Sequence, residues 1–153
     1  MEPQIIEYAV TVNLKEYQDM EMILLKGHLI LEQTLNQIIS DSVTDSKRID
    51  SMRLMFYKKL ELVMALNGSS ITAVYPHLKE INRIRNKLAH ELFFDKYHNE
   101  LKKWACSVLG HTPKTIDSKK TYKNTVIKSF SYLAGLLIGV SEGIRATQGN
   151  TPP

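Results

Sequence analysis

Between Leu78 and Leu92 the chain repeats apolar and polar residues with the period of a helix, and this stretch limits what the rest can fold into. At roughly 100° per residue, Ile81, Ile84, Leu88 and Leu92 line up as one apolar stripe, as expected of a helix packed on a core. Asn82, Asn86 and His90 follow at i, i+4 and i+8 as a polar row beside it. Arg85 falls at the seam between Leu78 and Leu92, where a cation is costly unless paired. Such a helix needs other elements to cover its stripe, and no flanking segment alternates convincingly as a strand. The expected fold is therefore all-α: an antiparallel bundle of four main helices plus one short helix.

The other elements follow from start and stop signals. Asn13 with Glu16 three residues later reads as a capping box, opening a helix that runs to about Ile39 with Leu24, Leu31, Leu35 and Ile38 on its core face. Ahead of it, Ile5–Val12 reads as a short extended arm. After a turn at Asp41–Ser46, a second helix passes through Leu54, Phe56, Leu60, Leu62 and Met64 and stops at Asn67-Gly68. Thr72 and Pro76 suit the start of the motif helix. A shorter helix spans Asp95–Leu109, a mobile linker His111–Lys120, and a last helix Thr121–Ala146. The expected organisation is one domain over residues 1–146 and a disordered tail over 147–153.

A chain of 153 residues with 43% hydrophobic content can bury a core without disulfides or metals. The single Cys106 has no internal partner, and no basic and apolar leader follows Met1, so the expected setting is the cytoplasm. Net charge is +4, unevenly spread. Residues 1–75 carry 7 basic and 10 acidic side chains, and residues 76–153 carry 13 basic and 6 acidic. The Leu78–Leu92 helix thus opens the basic half, where the excess of cations suits either a polyanion or ordinary solvated helix faces.

Ser131, Gly135, Gly139 and Gly143, spaced by four, make a small-residue ridge on the last helix. Glycine is a poor helix former, so close approach of another helix is expected to compensate, from the same chain or from a dimer partner. The apolar run Phe130–Val140 is too short for the ~20 residues a membrane span needs. His28, His77, His98 and His111 lack metal-ligand spacing, and there is no glycine-rich phosphate loop or evident recognition helix. No metal or cofactor is expected.

Each motif residue suits phosphodiester transfer in RNA, which carries its own nucleophile in the 2′-OH. A histidine such as His90 can take or deliver a proton near neutral pH. The Arg85 fork can hold non-bridging phosphate oxygens as charge builds on them. Asn86 can orient the histidine or the phosphate. The competing reading is a charged helix end with a solvated His90.

Arg85-Asn86-Lys87-Leu88-Ala89-His90, with an isoleucine before the arginine and Leu-Ala before the histidine, resembles the R-N-x-x-x-H signature of the HEPN superfamily. The resemblance implies a small helical domain with metal-independent RNA cleavage, Arg85, Asn86 and His90 being catalytic. Arg83 and Lys87 are then the expected substrate contacts, and His28, Glu32 and Asn82 the expected supporting residues. Gly27–Leu35 and Phe56–Leu62, followed by Ile84–His90, resemble the mannitol operon repressor branch over about residues 20–95. That branch implies a second reading, a non-catalytic regulatory or protein-binding module, and the motif is common to both. Some HEPN toxins carry, two residues after the histidine, a tyrosine that an antitoxin modifies. Leu92 stands there, which puts such control in doubt. The expected partners are RNA, a second copy of the chain and an antitoxin.

One further expectation concerns the first long helix, where His28, Glu32 and Asn36 recur within an apolar arc. Buried polar groups need partners, and Arg85 has the complementary need. Glu32 is therefore expected to pair with Arg85, the alternative being a bond to His28 one turn away.

Overall fold

The computed structural model describes residues 2–149. They form seven helices and no strand: α1 Pro3–Lys15, α2 Met20–Ser42, α3 Ser46–Ser51, α4 Phe56–Ile71, α5 Tyr75–His90, α6 Tyr97–Leu109 and α7 Lys119–Gly149. The all-α expectation holds, with more helices than the five expected. The extra ones are α1 and α3.

The first expected helix is in fact two. Asn13 lies inside α1, and the chain breaks at Tyr17–Asp19, so the capping box does not form. Asp19 caps α2 instead, its carboxylate accepting the Glu21 N–H at 3.1 Å. The supposed extended arm is the body of α1, begun by Pro3 in its first turn. Asn67 does not end α4. It leaves helical geometry (φ −142°, ψ 37°) and kinks the helix, which continues to Ile71. The Asn67 amide donates to Ser42 Oγ at 2.9 Å, tying the kink to the end of α2.

α7 packs against α1, α2 and α6 and touches α4. Its core face includes Val126, Ile127, Phe130, Leu133, Ala134 and Leu137, all at most 1% exposed. At about 1.5–3 kcal/mol for each large apolar side chain buried, this face is a principal source of stability. The small-residue ridge is covered from within the chain at Ser131, Gly135 and Gly139 but is open at Gly143. Thr11 hydrogen-bonds Ser131 at 2.7 Å, Glu7 lies over Gly135 and Pro3 over Gly139. Residue numbers fall on α1 as they rise on α7, so the two helices run in opposite directions. A similar contact joins α2, where the Phe130 ring sits on Gly27.

α7 continues past the expected end at Ala146, so Thr147, Gln148 and Gly149 are helical; the rest of the expected tail, 150–153, lies outside the described residues. The segment between α6 and α7 is folded into turns by Ile116 N–H to Pro113 O and Ser118 N–H to Thr115 O. Among the described residues no helix is long and apolar enough to cross a membrane.

A methyl group on Gly27 would lie 2.6 Å from the Phe130 ring. Gly27→Ala should therefore lower stability by about 1–3 kcal/mol in urea unfolding. Gly143, also in helix, has nothing within 4 Å of that position, and Gly143→Ala should raise stability by roughly 0.5–1 kcal/mol. Equal effects at the two sites would contradict the close approach of α2 and α7.

Candidate functional site

Pro76 in the first turn and the basic residues Lys87 and His90 in the last suit the polarity of α5. Leu78, Ile81 and Ile84 are fully buried against the core. The helix stops at His90: Glu91 turns extended, and its N–H bonds Lys87 O at 2.8 Å. Leu92 is therefore not on the apolar stripe, as its spacing implied. It lies beyond the helix and is 88% exposed, with Phe93 beside it at 79%.

The polar row divides with depth. Asn82 is buried and accepts from His28 Nε2–H at 3.0 Å, and the His28 ring lies 4.3 Å from that of Phe56. Two supporting residues expected from the sequence are thus in direct contact, joining α2 to α5. Burial pushes the His28 pKa down, as does the nearby Arg85 charge more weakly; the bond to Asn82 and the charge of Glu32 oppose it. His28 is accordingly neutral at neutral pH, with its proton on Nε2.

Arg85 is half-buried, and its Nη1 donates to Asn86 Oδ1 at 3.3 Å. The expected Glu32–Arg85 pair does not form. Glu32 instead accepts from Lys59 Nζ at 2.6 Å, a contact between α2 and α4. Lys59 reaches it from a helix remote in sequence, and no local pattern marks that approach. Asn36, the third member of the α2 row, is exposed and needs no buried partner.

Arg83, expected to contact substrate, is held by carboxylates. It pairs with Glu80 at 2.5 Å one turn back and with Glu100 on α6. These acceptors raise its pKa and lower that of Glu80, and the network ties α5 to α6. A second tie runs from Trp104 Nε1–H to His77 O at 2.9 Å. Lys87 sits 5.5 Å over the Phe94 ring.

His90 is exposed at the end of α5 and lines a groove of about 670 Å³ with Leu88, Phe94, Tyr97 and His98. Glu21, Glu91 and Asp95 also line it, whereas Arg85 does not. His98, passed over for lack of metal-ligand spacing, is thus a second histidine in the motif groove. Its Nδ1 is 2.9 Å from the Tyr122 hydroxyl. Burial and Lys102 lower its pKa, against the pull of Asp19. The Tyr122 hydroxyl can donate to Nδ1 or accept from it, according to which ring nitrogen carries the proton. The sequence signal was a Tyr-His pair opening the helix after the motif, with Lys102 four residues on. Among the described residues no group of three or more His, Cys, Asp or Glu side chains is arranged to hold a metal ion.

The buried His28 gives a pH signature. Its folded-state pKa lies below the unfolded value near 6.5, so the unfolded chain takes up the proton first as pH falls. The stability of the neutral ring is present above that value and is lost on acidification through it. His77 and His98 are shifted in the same direction. Urea midpoints should fall between about pH 7.5 and 5.5. His28→Gln, which can still donate to Asn82, should flatten that fall. An unchanged slope would place the titration elsewhere.

Compared with family models, characterised proteins and solved structures, the chain matches none of them.

Proposed function

We propose that the chain is a HEPN-like, metal-independent endoribonuclease, a toxin or phage-defence effector, with Arg85, Asn86 and His90 as its catalytic residues. The observation that carries this reading is the placement of His90. It is exposed at the end of α5, beside a groove, on the helix that presents a half-buried Arg85 joined to Asn86. The all-helical architecture agrees with a HEPN-type antiparallel bundle in which α2, α4, α5 and α7 are the four main helices.

In the reaction, a base removes the 2′-OH proton as that oxygen attacks phosphorus. The bond to the 5′ oxygen breaks, and an acid protonates the leaving oxygen. The products are a 2′,3′-cyclic phosphate and a 5′-hydroxyl. His90 supplies proton transfer, Arg85 stabilises charge on the non-bridging oxygens, and Asn86 orients Arg85. His28 and Asn82 position α5 from beneath, and Lys87 lies near enough to the groove wall at Phe94 to meet substrate. Arg83 acts through the stability of α5, because its guanidinium is taken by Glu80 and Glu100.

Arg85 does not line the groove that His90 lines, which favours a two-fold dimer that brings together motifs from two copies. The exposed Leu92 and Phe93 next to His90 offer an apolar contact for it. The setting is cytoplasmic, and an antitoxin is the partner that would restrain the activity. The same exposed pair also favours the second reading, a non-catalytic regulatory or protein-binding module of the mannitol repressor type.

Incubation of purified protein with RNA in EDTA decides between them. Cleavage should persist without metal, and Arg85→Ala and His90→Ala should each reduce it by ~10²–10⁴-fold with helicity unchanged. Asn86→Ala should cost less. Full activity of the His90 variant would remove the nuclease reading, and no cleavage by the parent chain would select the regulatory one. Light scattering should show a dimer at micromolar concentration, and Leu92→Asp with Phe93→Asp should yield an inactive monomer. A fully active monomer would refute the shared site.

A further inference from the structure

The groove at His90 has a chemical shortfall. Three carboxylates line it and, among the described residues, no lysine or arginine does. Lys87, over the outer wall at Phe94, is one cation beside it; a polyanion that reaches His90 needs more from neighbouring surface, and one neighbour has that character. The groove shares Tyr97 and His98 with a second cleft of about 970 Å³, which lies between the α1–α2 turn and the first turns of α6 and α7.

Lys15, Lys119, Lys120 and Lys123 line this cleft. Its two aspartates are already engaged: Asp19 caps α2, and Asp117 pairs with Lys102 at 3.1 Å. Lys123 Nζ reaches Lys15 O and Gln18 Oε1, both at 3.4 Å, which joins the α1–α2 turn to α7 as the cleft wall. Rings connect the two spaces. Phe94 lies 6.2 Å from Tyr97, Tyr97 3.9 Å from His98, and His98 5.7 Å from Tyr122 between ring centroids. Lys102 sits 5.1 Å over the Tyr122 ring. The row runs from the motif groove to the floor of the lysine-lined cleft, where Tyr122 is buried; the half-buried Tyr97 and the exposed His98 are the rings open to a ligand, and His98 stands at the junction.

Lysines interleaved with aromatic rings along a groove match an unpaired nucleic-acid strand, whose phosphates meet the ammonium groups and whose bases find ring faces. We propose that this cleft is the substrate-holding site, binding the backbone of single-stranded RNA beside the nucleotide presented to His90. Tyr97 and His98 guide the strand between the two spaces. The inference takes RNA as substrate from the reading above, but it concerns binding and not the chemical step.

The test measures affinity in the His90→Ala protein, so that cleavage cannot interfere, using a labelled single strand of about 10 nucleotides and a duplex of the same sequence. Lys119→Ala with Lys120→Ala, both exposed positions, should weaken single-strand binding roughly tenfold. The dependence of log affinity on log salt should fall by ~0.7 for each phosphate that the protein no longer neutralises. Lys47→Ala with Lys58→Ala, the same charge change at lysines lining neither space, should change both much less. Equal losses in the two double variants, unchanged binding in the first, or duplex bound as tightly as single strand would overturn the proposal. Lysine-dependent binding by a parent chain that does not cleave RNA would uphold this site while removing the nuclease reading. Cleavage with no dependence on Lys119 and Lys120 would do the reverse.

Discussion

The fold depends on how closely other helices approach α7. Phe130 points from it onto the bare backbone of Gly27 on α2, and Gly135 leaves space that the Glu7 side chain of α1 occupies. Side chains at Gly27 or Gly135 would hold these helices apart. The same stretch of α7 is polar where it needs to be: Ser129 Oγ donates to Ala105 O at 3.0 Å, and Ser131 meets Thr11. α7 is thus the support on which α1, α2 and α6 lie. The motif helix α5 is carried chiefly by α2, α4 and α6.

That second layer is fixed by polar contacts as well as apolar ones. His28–Asn82 joins α2 to α5, Lys59–Glu32 joins α4 to α2, and Arg83–Glu100 joins α5 to α6. Buried or half-buried pairs of this kind add little net stability, because desolvation offsets much of their attraction. They do restrict register, since sliding α5 by one turn would leave Asn82 and His28 without partners. The result is a rigid shaft for α5 with a free end, and the free end carries His90.

The motif helix was legible because its signals are local. Amphipathic spacing, an early proline and terminal basic residues all lie within Tyr75–His90. His28 was also marked, as a polar residue on an apolar arc; Asn82 stood in the polar row beside the motif stripe, and only the structure joined the two. Local signals failed where two outcomes were compatible with one string. Asn13 and Glu16 have capping-box spacing, but the helix had already begun at Pro3, and Asp19 provided the next cap. Asn67-Gly68 has stop chemistry, yet packing of α4 on α5 and the bond to Ser42 carry the helix through the kink.

The sequence by itself determined the helical class, the apolar faces, the location of the motif and the need for close approach at the small-residue ridge. These follow from side-chain periodicity and propensity, which act over a few residues. Only the tertiary structure decided that α1 covers the ridge, that Lys59 claims Glu32, that Arg83 is tied by Glu80 and Glu100, and that Tyr97 and His98 connect the motif groove to the lysine cleft. Most of those outcomes join residues far apart in the chain. Which charge finds which partner is settled by how the helices stack, because steric fit acts only at contact and attraction between exposed charges is screened beyond about 10 Å.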